Sequence, residues 1–197
     1  DDSLASIEPG VEPCMGTPLS GMRRSYAPLA GISMPLDADR ESRMRTAADA
    51  LWDALGSTDP EAPNPARGVS WIGFYLRVPG EHRPGHEMVL GPRRDKPACS
   101  PIGLHGMCGR GWSERAAIVI DDVRTLGKGY IACDPRDQSE LVVPLFEPDG
   151  VCWGVLDADS YQTHAFSEHD ARELTSLMVR WGLSDGAHAS RAPVLFL

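Results

Sequence analysis

The run "ELVVPLFEPDGVCWGVLDA", residues 140–158, decides the fold. Its two apolar segments, 140–146 and 151–158, are joined by "EPDG", a set of residues typical of a tight turn. Two strand-like runs on either side of so short a turn predict an antiparallel hairpin. Pro144 lies inside the first run and has no N–H to donate, so the sequence predicts an edge strand or a bulge there.

Three further strands are predicted upstream of the hairpin. They are the apolar runs "WIGFYL" at 71–76, "EMVL" at 87–90 and "AAIVI" at 116–120. Alternation within the first places Trp71 and Tyr75 on one face, on either side of Gly73, which leaves a concavity. The same two rings could also simply cover a helix, and the sequence leaves both interpretations open.

Helices are predicted at both ends of this run of strands. Asp37 or Asp39 can cap the first, which ends at Gly56 and whose apolar face is Met44, Ala48, Leu51 and Leu55. Ser167 can cap the second, with Asp170 in its first turn and an apolar face of Ala171, Leu174, Met178 and Trp181. Helices flanking mostly antiparallel strands predict an α+β sandwich.

The chain divides into three parts. Residues 1–36 are rich in proline and glycine without periodicity, which predicts an irregular N-terminal extension. The patterned segment 37–183 is the predicted domain, and 184–197 is predicted to be a loosely held C-terminal tail. Because the chain begins at Asp1 rather than at methionine, removal of a leader is compatible with the sequence.

Composition excludes two classes of partner. The formal net charge of −9 over 197 residues argues against nucleic-acid binding, which requires clustered lysine and arginine. No apolar run is long enough to span a bilayer, so no membrane partner is expected. Five cysteines without paired short spacings do not resemble a secreted disulfide framework, and they favour a reducing, cytoplasmic location.

Three acidic residues are expected on one face of the hairpin. In "GVLDADS", Asp157 and Asp159 lie on the same side of a strand, and Glu140 opens the neighbouring strand. Carboxylates beside the aromatic rings of Trp71 and Tyr75 form a cage suited to an ammonium group. The sequence therefore predicts a binding site for a small cation or zwitterion. The alternative, that these acids lie at a solvent-exposed strand end without a binding role, stays open.

A calcium loop is the other candidate for these acids. Glu168 lies eleven residues after Asp157, the spacing between the first and last ligands of such a loop. However, Tyr161 occupies a ligand position and Gln162 replaces the turn glycine, which excludes calcium.

The cysteines do not form a zinc site, since no CxxC-type pair is present and His105 near Cys108 is too little. Cys152 lies in a strand and is interpreted as core, and Cys14 lies in the extension without an assigned role. Cys99, Cys108 and Cys133 lie in or beside loops. For Cys133 alone, a small half-buried filler is the more ordinary interpretation.

Seven stretches together resemble the free methionine-(R)-sulfoxide reductases, a family of GAF domains. They are "WIGFYL", "LGPRRDKPAC", "GMCGRGW", "GYIACD", "SELVVPLF", "GVLDADS" and "FSEHD", in the order and spacing typical of that family. The resemblance implies a mostly antiparallel sheet of about six strands with helices on both faces. One departure is the stretch "SPIGLHGM" between Cys99 and Cys108, which is shorter than is usual in the family.

The resemblance also implies the roles of the site residues. Cys133 would be the attacking thiolate, Cys99 its resolving partner and Cys108 a third redox-capable thiol, although the sequence leaves open which cysteine resolves Cys133. The residues that would hold the free amino acid are Trp71, Tyr75, Glu140, Asp157 and Asp159.

No bound cofactor or metal is expected, since the reductant would be an external thioredoxin/NADPH system. Free methionine sulfoxide and a thioredoxin-like protein are the expected partners, and a homodimer is the oligomer typical of the family. The competing hypothesis is a non-catalytic GAF domain that binds a ligand or senses oxidation.

Overall fold

The computed structural model describes residues 24–35, 37–57, 68–130 and 133–197. One six-stranded sheet forms its centre, in the order β2-β1-β5-β4-β3-β6. The strands are β1 Trp71–Arg77, β2 Met88–Arg94, β3 Ala117–Ile120, β4 Ser139–Phe146, β5 Cys152–Ser160 and β6 Val194–Phe196. The helices are α1 Arg40–Leu55, α2 Met107–Glu114, α3 Glu168–Arg180 and α4 Gly186–Ala189. Short 3₁₀ turns lie at Ala27–Leu29 and Val123–Gly129.

Helices cover both faces of the sheet, which confirms the predicted α+β sandwich. On one face, α1 and α3 pack against apolar strand residues that include Ile72, Phe74 and Leu156. On the other face, Cys108 of α2 packs in a second cluster with Trp71 and Tyr75. Because side chains alternate between the two faces of β1, they contribute to two separate hydrophobic clusters. The second cluster lies beside the candidate site.

The predicted hairpin is confirmed. For Pro144 the sequence predicts either an edge strand or a bulge, and only the bulge is correct. β4 and β5 pair antiparallel from Ser139 with Ser160 to Phe146 with Cys152, and their register is irregular between Leu145 and Phe146, next to the proline. The edge-strand alternative is wrong, because β4 lies inside the sheet. Its other neighbour, β3, begins at Ala117 and ends its pairing before Pro144, so no N–H is required there.

Both predicted helices have the predicted ends. The Asp39 side chain accepts a hydrogen bond from the backbone N–H of Ser42, and Gly56 follows the last turn of α1. In α3, Ser167 and Asp170 form a reciprocal capping box. All eight residues predicted for the two apolar faces are buried. Helix α2 was not predicted, because two glycines weaken its helical signal.

The prediction of a loosely held tail at 184–197 is wrong. Asp185 caps α4 by accepting hydrogen bonds from the backbone N–H groups of Ala187 and His188, at 3.0 and 3.1 Å. Beyond it, β6 pairs in parallel with β3, so that the tail supplies one edge of the sheet. The part of the extension that the structure describes, 24–35, packs on α3 through buried Tyr26 and Leu29. Cys14 lies outside the described residues.

Asp170 connects the extension to α3 and should be important for stability. Its Oδ1 accepts hydrogen bonds from Arg24 Nη1 at 2.8 Å and from the Tyr26 hydroxyl at 2.7 Å, and all three side chains are buried. Asp170→Ala removes these partners and the capping box, and it leaves the Arg24 guanidinium buried without its carboxylate. We expect a loss of about 3–5 kcal/mol in the free energy of unfolding, measured by urea denaturation.

Glu168→Ala is the matched control for that prediction. Glu168 occupies the same first turn of α3 but, among the described residues, pairs with exposed Arg172. Its removal should change the free energy of unfolding by less than about 1 kcal/mol. If the two variants unfolded at similar urea concentrations, the structural role assigned to Asp170 would be wrong.

Candidate active site

Three buried carboxyl groups lie on one face of the sheet, as predicted. Across the strands, Trp71 is opposite Asp159 and Asp159 is opposite Glu140, while Asp157 is opposite Gly73. The exposed fractions of Glu140, Asp157 and Asp159 are only 5%, 6% and 9%. The alternative of a strand end in solvent is therefore wrong.

The predicted concavity above Gly73 is filled by the neighbouring indole. A Cβ added at Gly73 would lie 2.5 Å from Trp71 Cη2 and 2.7 Å from Arg93 Cβ. The glycine thus allows the indole to lie flat along the strand, with its ring centroid 6.2 Å from that of Tyr75. The alternative that these rings cover a helix is also correct in part, because both pack with Cys108 of α2. Their polar atoms, in addition, bind the segment 96–99. Trp71 Nε1 donates to the Lys96 carbonyl at 2.9 Å, and the Tyr75 hydroxyl donates to the Cys99 carbonyl at 2.8 Å.

A small cavity of about 20 Å³ separates this face of the sheet from two covering segments. The sheet contributes Trp71, Tyr75, Asp157 and Asp159, and the covering segments contribute Lys96, Pro97, Ala98, Cys133, Asp134 and Asp137. The volume is sufficient for about one water molecule. This volume is smaller than that of an amino acid.

Five of the eight predicted site residues line this cavity: Trp71, Tyr75, Cys133, Asp157 and Asp159. The other three adjoin it. Glu140 lies across the strand from Asp159 and accepts a hydrogen bond from the Tyr130 hydroxyl at 2.7 Å. Cys99 is exposed on the covering segment, and Cys108 is buried on α2.

The Cys133 sulfur lies next to Cys99 and Tyr75, and both cysteines are free thiols. Its inner side faces the protein, and this desolvation raises the pKa of the Cys133 thiol to about 12. The backbone N–H of Cys99 and the Tyr75 hydroxyl lower the same pKa by smaller amounts. In this arrangement Cys133 is a protonated thiol at neutral pH. The backbone N–H of Cys99 is positioned to stabilise a thiolate, whereas the Tyr75 hydroxyl would first have to leave the Cys99 carbonyl.

Cys108 contacts the acid cluster from the opposite side. Its Sγ–H donates to Asp157 Oδ2 across 3.2 Å. Burial, and then the negative charges of Asp157 and Glu140, raise the pKa of the Cys108 thiol well above its usual value. Cys108 is therefore a hydrogen-bond donor that keeps its proton, while Cys152 is buried with Phe146 and Ala189 as predicted for a core residue.

The acid cluster holds protons at neutral pH. Burial raises the pKa of Asp157 to about 7, and burial together with neighbouring carboxyl groups raises the pKa values of Glu140 and Asp159 well above their usual range. Within the described part of the chain, buried Asp157 Oδ1 has no hydrogen-bond partner. An unpartnered oxygen in a cluster that retains protons is suited both to binding a cation and to donating a proton.

Four residues near the cavity were not predicted. Asp137 is buried, accepts a hydrogen bond from Ser70 Oγ at 2.9 Å, and has a pKa raised by burial to about 6. Tyr130 contacts Glu140, and Lys96 forms an ion pair with Asp134 at 2.8 Å. Their only signal in the sequence is proximity to Cys99 or Cys133, because they lie in segments without periodicity.

One group among the described residues has the spacing of a metal site. The ligand atoms of Cys108, Glu140 and Asp157 lie within 4.8 Å of one another. All three side chains, however, already take part in hydrogen bonds between protein groups and have raised pKa values. A metal ion would have to displace those protons, so the donors fit protonated acids better than metal ligands. Separately, no helix within 24–35, 37–57, 68–130 or 133–197 has both the length and the apolar character of a membrane span.

Comparison with known proteins gives a consistent family. Residues 37–179 match the GAF domain family. The chain is 32% identical over 135 residues to the free methionine-R-sulfoxide reductase of Saccharomyces cerevisiae, which covers 68% of this chain and 69% of that protein. It is 37% identical over 109 residues to GAF domain-containing protein A of Dictyostelium discoideum, which covers 55% of this chain and 65% of that protein. The chain therefore spans about two thirds of the length of these relatives.

A solved structure extends the similarity. It is the X-ray structure of free methionine-R-sulfoxide reductase from Neisseria meningitidis in complex with its substrate. The two chains superpose with a TM-score of 0.59 at 34% identity, over 76% of this chain and 81% of the Neisseria chain.

Proposed function

The chain belongs to the GAF domain family and, within it, to the free methionine-R-sulfoxide reductases, and from this premise we propose that it reduces free L-methionine (R)-sulfoxide to methionine. The observation that carries the proposal is the single cavity shared by the Cys133 thiol and the buried carboxyl groups of Asp157 and Asp159. The Neisseria relative was solved with its substrate, which supports binding of the same sulfoxide here.

The first step transfers the sulfoxide oxygen to Cys133. The thiolate attacks the sulfoxide sulfur and forms an S–S bond to it. The oxygen then leaves that sulfur and bonds to the Cys133 sulfur as the S–S bond breaks, so that Cys133 becomes a sulfenic acid and methionine is released. A protonated acid of the cluster donates a proton to the departing oxygen, and the proton of the Cys133 thiol replaces it. The raised pKa values of Glu140 and Asp159 support this role, because they keep a proton available at neutral pH.

The second step closes a disulfide. A thiol attacks the Cys133 sulfenic sulfur, an S–S bond forms, and the oxygen leaves as water. Contact between Cys133 and the backbone of Cys99 supports Cys99 as this partner, while the burial of Cys108 against Asp157 makes it the less accessible alternative. A thioredoxin-like dithiol supplied with electrons by NADPH would then reduce the disulfide. The homodimer and the cytoplasmic location stay predictions.

The acid cluster also provides a reason for selecting the free amino acid. An ammonium group beside Asp157 would pair with its buried carboxylate and supply a donor for Asp157 Oδ1, while Asp159 and Glu140 keep their protons. The amide nitrogen of a peptide-bound residue carries no charge and would leave the buried negative charge without a cation. Peptide-bound methionine sulfoxide should therefore be rejected.

Turnover of the separate epimers tests the proposed function. The full chain is incubated with thioredoxin, thioredoxin reductase and NADPH, and the free R epimer, the free S epimer or N-acetylmethionine sulfoxide is supplied. We expect consumption of NADPH with the R epimer, and rates lower by at least about 100-fold with the other two compounds. Formation of methionine, measured by chromatography, verifies that the electrons reach the substrate.

One observation favours a second candidate function, a non-catalytic GAF domain that binds a ligand or senses oxidation. Cys133 is a protonated thiol beside a small cavity, which is a resting arrangement that such a domain would also have. The turnover assay, together with a binding measurement, distinguishes the two functions. A chain that binds methionine sulfoxide by calorimetry but forms no methionine from either epimer would be a binding domain, and the reductase proposal would be wrong.

A further inference from the structure

A free amino acid carries a carboxylate as well as an ammonium group, and the acid cluster repels the carboxylate. We propose that Lys96 binds the substrate carboxylate and so selects against substrates in which that group is blocked. This inference rests on the proposed function and adds a second charged contact to the same site.

Lys96 lies where such a contact is needed. Of the described residues that line the cavity, it is the one with a cationic side chain, and it faces the acids on the sheet from the covering segment. Its carbonyl accepts a hydrogen bond from Trp71 Nε1, and its Nζ lies 4.7 Å from the centroid of the Tyr161 ring. Because the backbone and the side chain are both held, little conformational entropy would be lost on binding.

The ammonium group of Lys96 keeps donor capacity. It is 2.8 Å from Asp134 Oδ2 and donates to the Tyr161 hydroxyl at 2.5 Å. A lysine has three N–H donors, so these two partners leave a third. The side chain is 27% exposed and lines the cavity, so a ligand there can reach the ammonium group.

The ion pair with Asp134 does not fully balance the positive charge of Lys96. Asp134 also accepts two hydrogen bonds from the Arg136 guanidinium, at 3.0 Å from Nε and 2.7 Å from Nη2. One carboxylate is therefore shared between two cations, so Asp134 balances the charge of Lys96 only in part. An ammonium group whose charge is only partly balanced attracts an anion.

Lys96 adjoins the acidic end of the cavity. Lys96 is close enough to Asp159 and Asp137 to lower the pKa values of both carboxyl groups, although burial raises them by more. The ammonium and the carboxylate of an amino acid are bonded to the same carbon, so their binding groups must also be neighbours. Asp159 and Lys96 meet this requirement.

The test compares free methionine (R)-sulfoxide with the (R)-sulfoxide of methioninamide, in which an uncharged carboxamide replaces the carboxylate. We expect wild-type kcat/KM to favour the free acid by about 10- to 100-fold, the usual value of a charge-assisted hydrogen bond. Lys96→Met should reduce this preference to within about threefold, by lowering kcat/KM for the acid alone. Lys96→Arg, which keeps the charge, should retain most of the preference.

Arg94→Met is the matched control. Arg94 is two residues away on the chain, but it pairs with Asp49 rather than lining the cavity. Its removal should leave the preference for the acid unchanged. Should Lys96→Met fail to fold, Lys96→Gln serves instead, because it keeps a donor for Asp134 without the charge.

The outcomes are distinct. An equal loss for acid and amide in Lys96→Met would overturn the inference and assign Lys96 only to holding the segment 96–99. Unchanged selectivity would overturn it as well. Failure of the wild type to reduce either compound would instead contradict the proposed function. As a readout without catalysis, calorimetry with the Cys133→Ser variant should give an acid-to-amide affinity ratio that falls when Lys96→Met is added.

Discussion

Replacing Cys133 by serine should lower turnover of free methionine (R)-sulfoxide by at least about 1000-fold. A hydroxyl group has nearly the same size as the thiol but is a far weaker nucleophile toward sulfur, and it cannot form the sulfenic acid. Because Cys133 is exposed on one side, the substitution should leave the fold intact. The measurement is methionine formed per protein with excess dithiothreitol, which makes the result independent of the physiological reductant.

The other two thiols near the cavity separate the two chemical steps. Cys99→Ser should form close to one methionine per chain and then stop when thioredoxin is the reductant, because Cys133 is oxidised but no internal disulfide follows. Cys108→Ser is the matched control, since a serine hydroxyl can still donate to Asp157. It should keep repeated turnover within about tenfold of wild type.

Mass spectrometry after one turnover shows which sulfurs are joined. We expect a peptide pair linked through Cys99 and Cys133. A pair that contains Cys108 and Cys133 would instead make Cys108 the resolving thiol, and the expected results for the two serine variants would exchange. Full turnover by Cys133→Ser would remove the nucleophile assignment altogether.

The sequence predicts most of this fold because its strongest signals are local. The hairpin depends on one turn and two apolar runs, and each long helix has a capping residue and an apolar face within its own span. Strand β6 has no such signal. It is only three residues long, and it is a strand because its backbone pairs with β3, which is distant in the chain. The tail was for that reason wrongly predicted to be loose.

The same distinction applies to the site. Alternation placed Asp157 and Asp159 on one face because both belong to a single regular strand. By contrast, Lys96 and Asp137 lie in irregular segments, and their positions depend on contacts with Tyr161 and Ser70. The spacing of apolar residues, every two residues in a strand or every 3.6 in a helix, carries no information about such contacts. The indole that fills the space above Gly73 is likewise a matter of side-chain packing that alternation alone does not determine.

Asp157→Asn should remove most of the activity and, at the same time, stabilise the protein. The amide can still accept the hydrogen bond from Cys108, but it cannot carry the negative charge that the substrate ammonium requires. We expect kcat/KM for free methionine (R)-sulfoxide to fall by at least about 100-fold, mainly through KM. The measurement is steady-state kinetics of both proteins at a constant pH of about 7.5.

The stabilisation follows from the direction of the pKa shift. The usual pKa of an aspartate is 3.8, and burial raises that of Asp157 to about 7 in the folded protein. Between these values the unfolded chain loses its proton while the native chain keeps it, so raising the pH favours unfolding. Asparagine does not titrate. The variant should therefore gain stability relative to wild type as the pH rises from about 4 to about 7, by of the order of 1–3 kcal/mol, and the gain should stay constant above that range.

Urea denaturation at pH 4.5 and at pH 8, with Asp49→Asn as the matched control, distinguishes this effect from a general one. Asp49 pairs with Arg94 at 2.7 Å, and both side chains are exposed, so its replacement should change the free energy of unfolding by less than about 0.5 kcal/mol at either pH. An Asp157→Asn variant that is less active but no more stable at pH 8 would show that Asp157 is already ionised and compensated in the folded protein. A variant that is more stable and fully active would show that this carboxylate holds no substrate. Only the combination of lost activity with gained stability fits a carboxyl group that is kept buried, against its own solvation, for the ammonium of a ligand.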